Sequence, residues 1–170
     1  MASYLPRDHK ILAATCAFAG YTAVMTVLER RMRATGGPGI IPFELAGSAS
    51  RAEQIMAQWG RDGERAARIS TWLDFGYMTT YGTLVALLIE RARVRRGHPR
   101  ALTSVALVAV GGDAVEGVSL LNVLARNDVG FNAWRARSAA LVKFAALAGA
   151  LCYVLSDAVH LLPKGPAHAG

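Results

Sequence analysis

The chain has 170 residues, 53% hydrophobic and only 18% charged, with a mean hydropathy of +0.28, a net charge of +7 and a pI near 10.0. This leaves room for one all-apolar helical bundle or one membrane domain, and the positions of the charges choose the membrane, because they cluster between long uncharged runs instead of lining the outer face of amphipathic helices. The basic excess lies beside those runs, where anionic headgroups account for it, and no aromatic-interleaved basic groove points to nucleic acid.

The first run, Ile11–Leu28, is long enough to cross a bilayer. Arg7 and Lys10 before it imitate a secretory leader, but it ends in Glu29-Arg30-Arg31 with no small-residue cleavage site, so it reads as a retained helix. Tyr21, Thr22 and Thr26 are its polar features, expected to serve helix packing and bonding to the preceding turn. The breaker-rich ATGGPG then stops the helix.

The connection that follows is long. Its IIPFELAG places Glu44 inside an apolar octet, where a solvated loop carboxylate is the plainer reading and a reach into the interior the other. Ser50 and Glu53 have capping-box spacing, and Ala52, Ile55, Met56 and Trp59 recur at i, i+3, i+4, i+7. This predicts a short amphipathic helix over about 50–60, flat on the membrane interface or folded over the bundle mouth, with Trp59 at headgroup depth.

A second span is expected over 69–89, with Ser70, Asp74, Tyr77 and Tyr81 on one face and Trp72 and Phe75 turned elsewhere, where they can meet lipid. RARVRRGHPR, with five arginines, closes it in a turn at Gly97 and Pro99. The third span, 101–125, carries Asp113 and Glu116, whose spacing puts them on one face with Ala106, Ala109, Gly117 and Leu120. Ionisable groups there are costly and mark a functional site by default. Gly111-Gly112 reads as a packing or kinking feature. RNDVGFNAWRAR forms a short connection with Trp134 as interface anchor and Arg135 and Arg137 beside the membrane, and a fourth span over 138–162 holds Lys143, Tyr153 and Asp157 before Pro163.

The fold expected is therefore all-α: a single polytopic membrane four-helix bundle over 1–170, with the short interfacial helix between spans 1 and 2. At about 1.5 Å per residue, Asp113 lies near mid-membrane, while Glu116, Asp74 and Lys143 lie roughly 4.5, 7.5 and 10 Å toward the long connection. They suggest one polar cavity under that connection, with Glu44 in its lid. Three carboxylates against one lysine leave an excess that must stay protonated, bind a cation or face water.

Other chemistries find no motif. His9, His98, His160 and His168 lie near termini or loops on the far side, without a metal or haem constellation. GGPG lacks the lysine and strand–helix context of a phosphate loop. Cys16 and Cys152 lie in separate spans with no CxxC, and are expected to be small buried residues. No cofactor or metal is expected.

FELAGS, TWLDFGYMTTYG and GGDAVEG followed by VSLL resemble the pattern of a group of bacterial four-span membrane proteins without established activity. The resemblance covers most of the chain and implies the span count alone. Where that pattern has an acid followed by asparagine in the third span, this chain has Glu116-Gly117.

The function expected is binding of a small apolar or isoprenoid-like molecule in an acidic intramembrane cavity, with conversion by acid–base chemistry of an isomerase, cyclase or hydrolase type. Asp113, Glu116 and Asp74 form the catalytic set. Tyr77, Tyr81, Lys143, Glu44 and Trp72 form the substrate-binding set. A proton-coupled carrier or channel subunit using the same carboxylates is the competing class, and a structural accessory subunit is a third. Membrane lipids and the apolar ligand are the expected partners, self-association is left open, and nucleic acid is excluded. A bacterial inner-membrane location is expected. The termini and second connection carry eight Lys/Arg against ten for the other two connections, but the density of RARVRRGHPR beside its spans puts the termini in the cytoplasm.

Overall fold

A computed structural model describes residues 5–160, with side chains for 8–157, and among these residues every regular element is helical. The elements are α1 (Leu5–Ala34), α2 (Ile40–Glu44), α3 (Ala49–Arg96), a 3-10 turn (Arg100–Thr103), α4 (Ser104–Leu124) and α5 (Val129–His160). Three stretches are long and apolar enough to cross a membrane: Asp8–Ala34, Arg100–Leu124 and Val129–Asp157.

α3 organises the arrangement. It packs along α1 on one side and against the α4–α5 hairpin on the other, whereas α1 has no extended contact with α4 or α5 among the described residues. The α4–α5 pair is close because small residues let the backbones meet: a methyl group on Gly112 would lie 3.1 Å from the Ala139 carbonyl oxygen and 3.3 Å from the Lys143 nitrogen. Gly111, by contrast, faces open space, and α4 runs unbroken through both. Gly112 is thus a packing glycine, and its role is to bring the Lys143 backbone against α4.

Two clusters fill the interior. One, at the end where α2 lies, joins Met32, Phe43, Ile55, Met56, Trp59, Val123, Leu124 and Ala136. The other joins Met78, Tyr81 and Ala109, with Phe18, Tyr77 and Leu147 against them. The amphipathic 50–60 segment is the first part of α3, set off by Gly60, whose φ of 59° and ψ of −165° break the helical path. Its apolar face covers protein, for Ala52, Ile55, Met56 and Trp59 are all buried. Trp59 packs at a tilt on Phe43, ring centroids 4.9 Å apart, and donates its indole N–H to the Pro38 carbonyl at 2.5 Å.

Several local expectations are corrected. Ser48, not Ser50, caps α3, accepting the Arg51 N–H at 3.3 Å, so Ser50 and Glu53 form no capping box. The arginine-rich stretch after residue 90 is still helix up to Arg96, ended by Gly97 in the left-handed conformation, φ 70°. α5 begins at Val129 instead of 138, its first turn held by Asn132, whose side-chain amide donates to the carbonyls of Asn127 and Asp128. Cys16 and Cys152 are exposed, because the helix faces that carry them turn away from the bundle. The expected end of the fourth span at 162, Pro163 and His168 lie outside the described residues, as does the side chain of His160.

The contrast between adjacent glycines is testable by thermal unfolding in detergent micelles. Gly112→Ala should destabilise the bundle by about 1–3 kcal/mol, because its methyl group meets backbone that cannot yield, while Gly111→Ala should stay within about 0.5 kcal/mol of the parent. Equal melting temperatures for the two variants would show that the hairpin does not depend on this approach.

Candidate functional site

The late start of α5 changes the depth of the site. Residue 143 stands midway along Val129–Asp157, and Asp113 stands beside the midpoint of Arg100–Leu124. Two groups that the expected span limits put roughly 10 Å apart in depth therefore share one level.

Lys143 is the centre. Its ammonium donates to Asp113 Oδ1 at 2.9 Å and lies 2.7 Å from Glu116 Oε2 and 3.7 Å from Glu44 Oε2. All four side chains are buried, and the Phe144 ring centroid is 4.9 Å from the nitrogen. Glu116 Oε2 meets the ammonium as an ion pair outside hydrogen-bond geometry, leaving it with no hydrogen-bonding partner. The other Asp113 oxygen accepts the Tyr81 hydroxyl at 2.6 Å. Asp113 and Glu116 thus lie on the same face of α4, three residues apart, while α5, α3 and α2 each deliver one further member.

Glu44 reaches this centre because α2 is held over it as a short strap. The Ile40 N–H donates to Glu29 Oε2 at 2.9 Å, and Glu29 is in turn fixed by Arg33 at 2.7 Å. Gly39 lies against the Glu29 carboxylate, so a side chain there would require that carboxylate to shift from its bond to Ile40. Burial pushes the Glu44 carboxyl above its ordinary value, with the charge of Lys143 opposing that rise.

A cavity of about 610 Å³ opens beside the cluster. Its polar lining includes Asp74, Tyr77, Tyr81, Asp113, Lys143, Glu44 and Glu29, and its apolar walls come from Phe18 and Met25 on α1, Ile40 and Ile41 on α2, and Phe144, Leu147 and Leu151 on α5. Tyr77 stacks on Phe18 at 5.5 Å, meets Tyr81 edge-on at 5.7 Å and shares a 3.1 Å hydrogen bond with Thr22. Thr22 also bonds back to the Phe18 carbonyl, so its hydroxyl joins the polar wall as well as its own helix. Asp74 lines the cavity without an ion pair among the described residues. Among those residues no group of three His, Cys, Asp or Glu is set to hold a metal ion.

The structure brings together Asp113, Glu116, Asp74, Tyr77, Tyr81, Lys143 and Glu44. Trp72 is not with them: it is 63% exposed, turned outward beside Phe75. Sequence reasoning passed over Glu29, which sits at the start of a basic stretch and reads there as a solvated charge. The signal that would have found it is Gly39 just before the apolar octet, a position where a close backbone approach can be suspected. Asp157 was noted but not assigned. It is buried and bound by Arg95 and Arg96, closing the end of the bundle remote from α2.

Comparison with protein-family models, with curated proteins and with solved structures finds no match for this chain.

Three carboxylates on one ammonium make the site asymmetric towards substitution. Asp113→Asn leaves Lys143 with Glu116 and Glu44. Lys143→Met leaves all three carboxylates without a cation and should cost about 3–5 kcal/mol at neutral pH. Melting temperatures should therefore fall far more in Lys143→Met than in Asp113→Asn, and the Lys143→Met deficit should shrink on acidification as the stranded carboxylates take up protons. Equal losses, or a deficit independent of pH, would mean that the ammonium is not what neutralises the cluster.

Proposed function

We propose that this chain is a small integral membrane protein whose acidic intramembrane cavity binds a small apolar or isoprenoid-like molecule and converts it by acid–base chemistry. The observation that carries the reading is the meeting, in one cavity of about 610 Å³, of apolar walls with a tyrosine–carboxylate–lysine centre. That volume suits a ligand of small-molecule size, and its balance of apolar wall to a few convergent polar groups is typical of ligand sites. In this reading Asp113 and Glu116 give or take the proton, Lys143 keeps one of them ionised, Tyr81 orients Asp113, and Asp74 with Tyr77 holds the ligand's polar end.

A carrier reading gains less support. Away from α2 the polar lining gives way to Thr103, which bonds Glu90, and Ser104, which bonds its own turn, beside the Asp157–arginine cluster. Among the described residues, the engagement of Thr103 and Ser104 within their own end favours a closed cavity over a through-path.

The same proposal takes the 69–89 part of α3 as a fourth span, since at about 1.5 Å per residue it matches a bilayer core and it is flanked by α1 and α4. Residues 50–60 then cap the bundle mouth at the membrane interface. A bacterial inner-membrane location with cytoplasmic termini belongs to this reading. Orientation is checked by impermeant thiol labelling of Glu53→Cys and Arg100→Cys in a background lacking Cys16 and Cys152. Glu53→Cys should label from outside the cell and Arg100→Cys only after lysis, and the reverse pattern would invert the topology.

The ligand itself is tested by native mass spectrometry of the protein extracted in lipid discs. A stoichiometric apolar small molecule should be retained, and Leu147→Trp, which fills the cavity, should release it. Finding bulk phospholipid alone in both proteins would remove the ligand-binding reading and leave a structural subunit. With the ligand in hand, Asp113→Asn and Glu116→Gln should lower turnover by roughly 10²–10⁴ without unfolding the protein.

A further inference from the structure

α1 touches the rest of the bundle through α3 and has no extended contact with α5 among the described residues. Yet α1 and α5 both line the cavity, Met25 and Thr26 on one flank and Leu147 and Leu151 on the other. Leu151 is 58% exposed, so this flank is continuous with the outer surface of the bundle. At that depth the surroundings of an α1–α5 cleft are the hydrocarbon of the bilayer. The cavity has two chemically distinct ends: a cleft of apolar side chains towards lipid, and an inner end of carboxylates.

The inner end also selects by charge. Among the described residues Lys143 is the one basic residue in the lining, and its ammonium is already engaged by Asp113, Glu116 and Glu44. Asp74 adds a carboxylate with no ion pair among the described residues, close to the aromatic wall of Phe18 and Tyr77. A carboxylate or phosphate entering there would add further negative charge to a site with more carboxyls than cations, in a medium that screens poorly. A hydroxyl or an ammonium would meet acceptors, and an ammonium would gain further from the ring faces.

We propose, building on the cavity reading above, that the ligand is a single-chain amphiphile whose head donates hydrogen bonds and carries no negative charge, entering sideways from the bilayer between α1 and α5. Its head reaches Asp74 and the Asp113–Lys143 centre, and its chain lies along Met25, Leu147 and Leu151. Long-chain alcohols and long-chain amines share this chemistry. Fatty acids and phospholipids do not.

The experiment uses three photoreactive probes of equal chain length, with an alcohol, a primary amine and a carboxylate head and a carbene precursor in the chain. Each is dissolved in phosphatidylcholine discs holding the full chain, and labelled residues are mapped by peptide mass spectrometry. The alcohol and amine probes should label residues 18–26 and 144–151 at least about tenfold above the carboxylate probe, a ratio worth roughly 1.4 kcal/mol. Asp74→Asn should narrow that ratio, and Met25→Trp and Leu151→Trp should each reduce labelling at Phe18 and Tyr77 by narrowing the cleft. Equal labelling of the cavity by all three probes overturns the head-group selection while leaving a ligand cavity in place. Unchanged labelling in both tryptophan variants overturns lateral entry. Labelling no stronger than at the outward-facing Trp72 and Val115 overturns the cavity reading and this inference together.

Discussion

The ammonium of Lys143 is the interaction on which the rest of the bundle depends. Alone in an apolar interior it would be too costly to keep charged. It is tolerated because Asp113 and Glu116 from α4 and Glu44 from α2 converge on it, and Tyr81 from α3 takes the remaining Asp113 oxygen. One charge therefore ties four helices together. The demand propagates outward: Lys143 reaches Asp113 only because Gly112 lets α5 lie against α4, and Glu44 reaches it only because Glu29 and Gly39 pin the start of α2. α1 enters this network through Glu29 alone, and among the described residues its one extended packing contact is with α3.

Much of the site was legible because membranes impose simple rules. An apolar run is visible without knowing its partners, and two acids three residues apart within it must share a face, which is how Asp113 and Glu116 could be paired with Lys143 and Asp74 before any coordinates. What was not legible lies where the rules stop. RNDVGFNAWRAR is polar, and polarity outside a bilayer does not distinguish loop from helix, so the first turns of α5 went unseen and Lys143 was put too far from Asp113. The same blindness hid the helical character of Arg91–Arg96. The cysteines were misjudged because burial in protein and exposure to lipid place the same demand on a small apolar side chain. Trp72 was misjudged because an aromatic residue near a polar stripe fits either a ligand or lipid, and only its direction on α3 decides.

The two ends of the bundle differ in kind. At the end remote from α2, Asp157 takes Arg95 and Arg96, Asp8 takes Arg91 at 3.0 Å, and His98 meets Tyr153 at 2.9 Å. These pairs join α1, α3 and α5 directly and leave little polar freedom. At the α2 end the closure is a strap of one helical turn set on Trp59 and Phe43, with Arg126 reaching Glu64 at 2.7 Å and Arg68 capping the last carbonyls of α4. That capping is favourable in its own right, because a cation at a helix C-terminus meets the negative end of the macrodipole. The titratable groups of the cavity lie nearer the α2 end.

The charge balance of the cavity then limits what it can be. With Asp74, Asp113, Glu116 and Glu44 around one lysine, neutrality requires protons on some of the carboxyls or a donor or cation brought in from outside. A purely structural pair would need one carboxylate, and Lys143 faces three. A relay would carry its carboxyls across to both faces, whereas Asp113, Glu116 and Glu44 are gathered around Lys143, apart from the Asp157 cluster. On the proposed reading, excess carboxyls walled by aromatic and aliphatic side chains, with α1 unpacked against α5, would supply what proton transfer to a lipid-borne molecule requires: a proton source, low competition from water, and an entrance from the bilayer.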